Sequence, residues 1–163
     1  MGYTISQVRG ETVAQQLFLP RVEPVLNHLP TLLHVDRACC LTAHLIAWQD
    51  REGEIGVNYF ATPLDSNPNV AVVSMADVRE FAREAGIEFS KAILRMCLGQ
   101  ILVAERRFKL SYHDETRGCL FDFCERRQDI VEGLRNKRFN HKSCRGKIKD
   151  ADLLAAIDVL MAI

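Results

Sequence analysis

Five side chains able to hold a metal ion, His113, Cys119, Cys124, His141 and Cys144, fall in one segment of the chain. His141 and Cys144 have the spacing H-x-x-C. Two ligands so spaced can wrap one tetrahedral ion from a tight turn, as C-x-x-C does in zinc ribbons. Cys119 and His113 come from a loop upstream, and two loops giving two ligands each is the closed geometry of a structural zinc site. The candidate ligand set is therefore Cys119, His141, Cys144 and His113. Asp114 and Cys124 remain alternatives for the fourth place. The competing reading makes Cys119 and Cys124 small core hydrophobes, because in CLFDFC both alternate with Phe and Leu. Cys124 is assigned to the core on that ground. Cys39, Cys40 and Cys97 stand in apolar stretches and are also read as core. His28, His34 and His44 have no partner at ligand spacing and are read as surface or hydrogen-bonded residues.

Other chemistry is weaker. The run HDET at His113–Thr116 places a histidine beside carboxylates, a common acid–base arrangement. It reads better as a charged turn in which Asp114, Glu115 and Arg117 pair. Cys119 or Cys124 with His113 would make a nucleophilic dyad, but no local signature supports one. Arg135–Lys149 carries seven basic residues and no acidic one, with Phe139 among them. Such a stretch can bind a phosphate backbone and stack a base. The neutral net charge favours a solvated basic lobe instead.

These residues need a frame. Gln15–Leu33 is apolar but cut by Pro20, Pro24 and Pro30, which predicts short helical pieces around Val25–Leu33. Ala38–Trp48 reads as one buried strand, with helix as the alternative. Val57–Thr62 is a second strand, PLDSNPN a turn, and Asn69–Ser74 a β-branched core strand. Met75–Ala85 reads as a helix closed by Gly86. Glu88–Arg106 is the long helix, with Phe89, Ile93, Met96, Cys97, Gln100, Ile101 and Ala104 on its apolar face. After Lys109 the chain becomes charged and loop-rich, with little apolar core. Gln128–Leu134 makes a helical turn or two, and Asp150 caps a terminal amphipathic helix, Asp150–Ile163.

The whole reads as one α+β domain over 1–163, with an α/β core at 1–109 and a zinc-binding lobe at 110–163. Its 163 residues carry 21 basic and 21 acidic side chains, so no global charge points to nucleic acid or an anionic membrane. No apolar run is long enough to cross a bilayer. The start MGYTISQVRG lacks the pattern of a secretory signal and matches a myristoylation site only loosely. A cytoplasmic setting is expected, in which the six cysteines are thiols or metal ligands.

The segment from His113 onward resembles archaemetzincins. Their pattern runs H-E-x-x-H-x-x-G-x-x-H-C-x-x-x-x-C-x-M and is followed by C-x-x-C. His113 falls on the third His, Cys119 on the second Cys, Phe121 on the Met, and His141 with Cys144 on the final pair. The resemblance implies a metzincin-like α+β fold with a small mixed sheet and a structural zinc. It also implies that catalysis is lost. The first two His positions are Val103 and Arg107, the Glu position is Ala104, the Gly position is Leu110, and Asp114 replaces the first Cys. A zinc protease needs two ligands one helical turn apart and a carboxylate to deprotonate water. The expectation is a non-catalytic, zinc-stabilised pseudoenzyme acting through protein partners. A metal-dependent hydrolase with a non-standard site, or nucleic-acid binding by residues 135–149, are the alternatives.

Overall fold

The computed structural model describes residues 3–4, 16–49, 51–61, 67, 69–113, 119–122, 124, 127–136 and 142–162. The fold is mixed α+β, and the chain divides into two compact units, Met1–Ala76 and Asp77–Ile163. The sequence boundary at residues 109 and 110 thus falls inside the second unit. No helix is long and apolar enough to cross a membrane.

In the first unit the strands are β1 (Tyr3–Thr4), β2 (Gln16–Phe18), β3 (Ala38–Thr42), β4 (Leu45–Gln49), β5 (Ile55–Asn58), β6 (Phe60–Ala61) and β7 (Val70–Ser74). They form two sheets, ordered β1-β5-β4-β2 and β3-β7-β6. Pairing is parallel in β2–β4 and β3–β7 and antiparallel in the other neighbours. The stretch expected as one strand, Ala38–Trp48, is two. The Thr42 hydroxyl accepts the His44 N–H at 3.2 Å, closing a turn that sends β3 and β4 to different sheets. Val57–Thr62 likewise divides into β5 and β6, with Thr62 outside the described residues. Every residue of β7 is buried, as its β-branched sequence predicts. Ile46, Val70 and Val72 form the apolar centre. Against it pack Leu19 and Leu26 of helix α1 (Leu19–Leu26), and Cys40. Trp48 pairs with Gly56 across β4–β5, and a Cβ on Gly56 would stand 2.6 Å from the indole. The glycine is what lets the ring lie flat on the neighbouring strand. Helix α2 (Leu29–Leu33) opens on Pro30 and is closed by His34 in the left-handed region.

The second unit is built on helices α3 (Val78–Ala85), α4 (Phe89–Ala104), α5 (Arg127–Arg135), α6 (Lys142–Arg145) and α7 (Ala151–Ala162). Gly86 ends α3 at φ 71°, and Asp150 Oδ1 accepts the Leu153 N–H at 2.9 Å to cap α7. The apolar face expected for α4 is rotated from the one observed. Gln100 and Ala104 are buried as expected, but Ala92, Arg95, Leu98, Gly99 and Leu102 complete the buried stripe, whereas Ile101 is 43 % exposed. The reason is Arg95. Its guanidinium is buried and donates to the carbonyls of Leu134 at 2.5 Å and Met161 at 3.1 Å. Those carbonyls lie in the last turns of α5 and α7, where helix dipoles favour a cation. The cation thereby ties three helices. Gly99 faces the Tyr112–Leu120 region closely, with the Leu120 carbonyl 3.4 Å from where a Cβ would stand.

Candidate metal centre

The residues that carry the site lie where short turns meet the core of the second unit. After α4 a 3-10 turn (Arg106–Phe108) and Lys109 at φ 51° redirect the chain toward His113. The His113 N–H donates to the Phe121 carbonyl at 3.0 Å, in an isolated parallel bridge between residues 113 and 122. Cys119–Asp122 is a turn closed from both ends. The Asp122 N–H donates to the Cys119 carbonyl at 3.1 Å, and Asp122 Oδ2 accepts the Cys119 N–H at 2.8 Å. Cys144 comes from α6, a single turn ended by Gly146, where a Cβ would meet the Lys142 carbonyl at 2.9 Å.

This arrangement brings His113, Cys119 and Cys144 together, one ligand atom from each within 4.8 Å of the others. A tetrahedral zinc with bonds of about 2.3 Å to sulfur holds its sulfurs about 3.8 Å apart. The observed grouping therefore fits one ion after sub-ångström to ångström adjustments of side chains on short turns. His113 Nδ1 stands 3.1 Å from Asp122 Oδ1, which leaves Nε2, itself buried, as the ligand nitrogen. A carboxylate behind a metal-binding imidazole fixes the ring and raises its basicity. Burial pushes the Cys119 thiol up to about 11. A hydrogen bond with the Phe121 backbone opposes this, and the neighbouring Cys144 sulfur and Asp122 carboxylate add to it. A bound cation would make the Cys119 thiolate the favoured form at neutral pH.

Of the four expected ligands, three thus converge. His141 lies outside the described residues, as does Asp114; α6 begins at Lys142, directly after His141. Cys124 does not join the group. Its Sγ donates to the Asp122 carbonyl at 3.6 Å, and burial pushes its thiol up to about 12. Cys39, Cys40 and Cys97 are half-buried rather than full core residues, and His28, His34 and His44 are exposed.

One further expectation is corrected, and one residue of the site is new. The segment does have an apolar core. Cys119 and Cys144 belong to a buried cluster with Leu98, Leu102, Phe108, Leu110, Phe121, Ile148, Ile157 and Met161. Its members come singly from the loops and are completed by α4 and α7, so no local run reveals them. Asp122 was not singled out in the sequence either. A lone acidic residue inside CLFDFC was the available signal, since a carboxylate among buried aromatics needs partners. Phe121, at the Met position of the resembled pattern, is fully buried and packs edge-to-face on Tyr112 with centroids 6.4 Å apart.

Helix α4 ends at Ala104, so positions 103 and 107 do not share a helical face, and Glu105 lies 3.6 Å from Arg107. Among the described basic residues of 135–149, Arg135 donates to the Glu84 carbonyl and Lys147 to the Lys109 carbonyl. Arg145 holds Asp158 through two hydrogen bonds of 2.7 and 2.6 Å. Comparison of the chain with protein-family models, curated proteins and solved structures finds no match.

Proposed function

We propose that this chain is a non-catalytic module whose second unit is fastened by a structural zinc, and that it acts through contacts with other proteins. The observation that carries the reading is the convergence of His113, Cys119 and Cys144 on one point, with both thiols buried. A nitrogen and two sulfurs are borderline-soft donors that suit zinc over calcium or magnesium. His141, which lies outside the described residues, is the proposed fourth ligand on its H-x-x-C spacing to Cys144 alone. Burial among apolar side chains favours a closed site over a catalytic one, which keeps a position open for water. The zinc ties the Tyr112–Asp122 region to α6 and lies over a core that already exists, so it stiffens that core and does not replace it.

Kinship with archaemetzincins, as a degenerate relative without the protease helix, rests on the spacing of His113, Cys119 and the His141–Cys144 pair. The interaction role draws support from Val25, Leu32, Leu33 and Leu41, large apolar side chains between 48 and 67 % exposed on α1, α2 and β3. Apolar groups left in water mark protein contacts when they cluster. The test has two parts. Purified reduced protein should hold one zinc per chain, and Cys144→Ser should hold none. An affinity capture with the wild type should retain a protein that Leu32→Ser with Leu33→Ser loses. Metal-free wild-type protein with unchanged stability in chelator would remove the zinc reading, and equal capture by both forms would remove the proposed surface.

A further inference from the structure

The two thiols of the cluster have a second way to link the same segments. Cys119 and Cys144 lie in different turns, each buried, with their sulfurs within 4.8 Å of each other. They are not joined in a disulfide. A disulfide needs its sulfurs about 2.05 Å apart, so the pair must close by less than about 3 Å from the 4.8 Å within which the sulfurs lie. The apolar cluster around them contains eight other buried residues from α4, the loops and α7, so the fold beneath does not depend on the ion. We infer that the Cys119–Cys144 pair is a peroxide-responsive switch that exchanges a metal cross-link for a disulfide cross-link and releases the zinc. The inference rests on the zinc reading above.

One thiolate attacks the O–O bond of hydrogen peroxide. An S–O bond forms, the O–O bond breaks and hydroxide leaves, giving a sulfenic acid. The second thiolate attacks that sulfur, the S–S bond forms, and the S–O bond breaks with loss of a second hydroxide. Two protons convert the hydroxides to water. The thiolates have lost two electrons to the peroxide, and the zinc has lost two of its anionic ligands. His113 stays in place, held by the Phe121 carbonyl and the Asp122 carboxylate, so reduction restores a preformed site. Cys124 is not a competing partner, because its sulfur is turned to the Asp122 carbonyl.

The test uses the full-length zinc-loaded chain and hydrogen peroxide, with a chromogenic chelator reporting free zinc. The Cys124→Ser variant is run alongside, so that a cross-linked peptide is assigned to Cys119 without ambiguity. The expected result is one zinc released per disulfide formed, a mass lower by two hydrogens, a Cys119–Cys144 peptide in the non-reduced digest, and recovery of zinc binding after dithiothreitol. Zinc retained under peroxide, or released with sulfinic acid and no cross-link, overturns the switch and leaves the zinc site standing. Absence of zinc from the reduced protein overturns the site itself, and the switch with it.

Discussion

Replacing Cys144 by alanine separates the metal from the core it lies on. Two terms contribute. Removing one buried sulfur from the apolar cluster costs about 1 kcal/mol, at the small end of large-to-small core changes. Losing the ion removes the mass-action term, about 4 kcal/mol when free zinc is a thousandfold above its dissociation constant. For a unit of this size about 1 kcal/mol corresponds to 4–8 °C in Tm, so the metal term is worth roughly 15–30 °C and the packing term about 4–8 °C. The assay is thermal unfolding of wild type and variant, each with zinc and with a chelator. The chelator should lower the wild-type Tm by the metal term and leave Cys144→Ala unmoved. In chelator the two proteins should differ only by the packing term. Equal wild-type curves with and without chelator would refute the reasoning, since the sulfurs would then be core residues and nothing more.

Asp122→Asn keeps an acceptor for the Cys119 N–H but removes the carboxylate behind His113; zinc affinity measured by chelator competition should fall about 10- to 100-fold, with Tm in chelator little changed. Arg95→Met leaves the Leu134 and Met161 carbonyls without their charged donor, and denaturant unfolding should show a loss of about 2–4 kcal/mol without change in zinc stoichiometry. The Cys124 thiol, raised to about 12 by burial with the Asp122 and Asp129 charges adding, is favoured in its neutral form by the fold. Its contribution to stability is therefore complete below the ordinary thiol value near 9 and is lost as pH rises through about 12. Alkylation of Cys124 in native protein should be slow at pH 8 and accelerate about tenfold per pH unit up to that value. A rate at pH 8 equal to that of the unfolded chain would contradict the burial argument.

What could be read from the sequence was what local chemistry decides. Gly86 and Asp150 mark helix ends because a left-handed residue and a side-chain cap are local requirements, and Val70–Ser74 is a strand because its β-branched run is buried on both sides. The spacing of Cys119, His141 and Cys144, with His113 upstream, pointed to the region where His113, Cys119 and Cys144 meet. What failed depended on partners distant in the chain. The buried stripe of α4 contains Arg95 and Gly99, neither of which looks apolar, because one serves the ends of two other helices and the other admits a neighbouring backbone. The break at Thr42–His44 follows from one hydroxyl turning back on the chain. Asp122 reads as the polar side of an alternation and proves to organise both Cys119 and His113.

X-ray absorption at the zinc edge tests the central claim most directly, on reduced protein purified with its native metal. The expected spectrum is that of a four-coordinate zinc with two sulfur neighbours at about 2.3 Å and two imidazole nitrogens at about 2.0 Å, and the metal should be absent from Cys144→Ala. A zinc ringed by oxygen, or protein that carries no zinc at all, would contradict it.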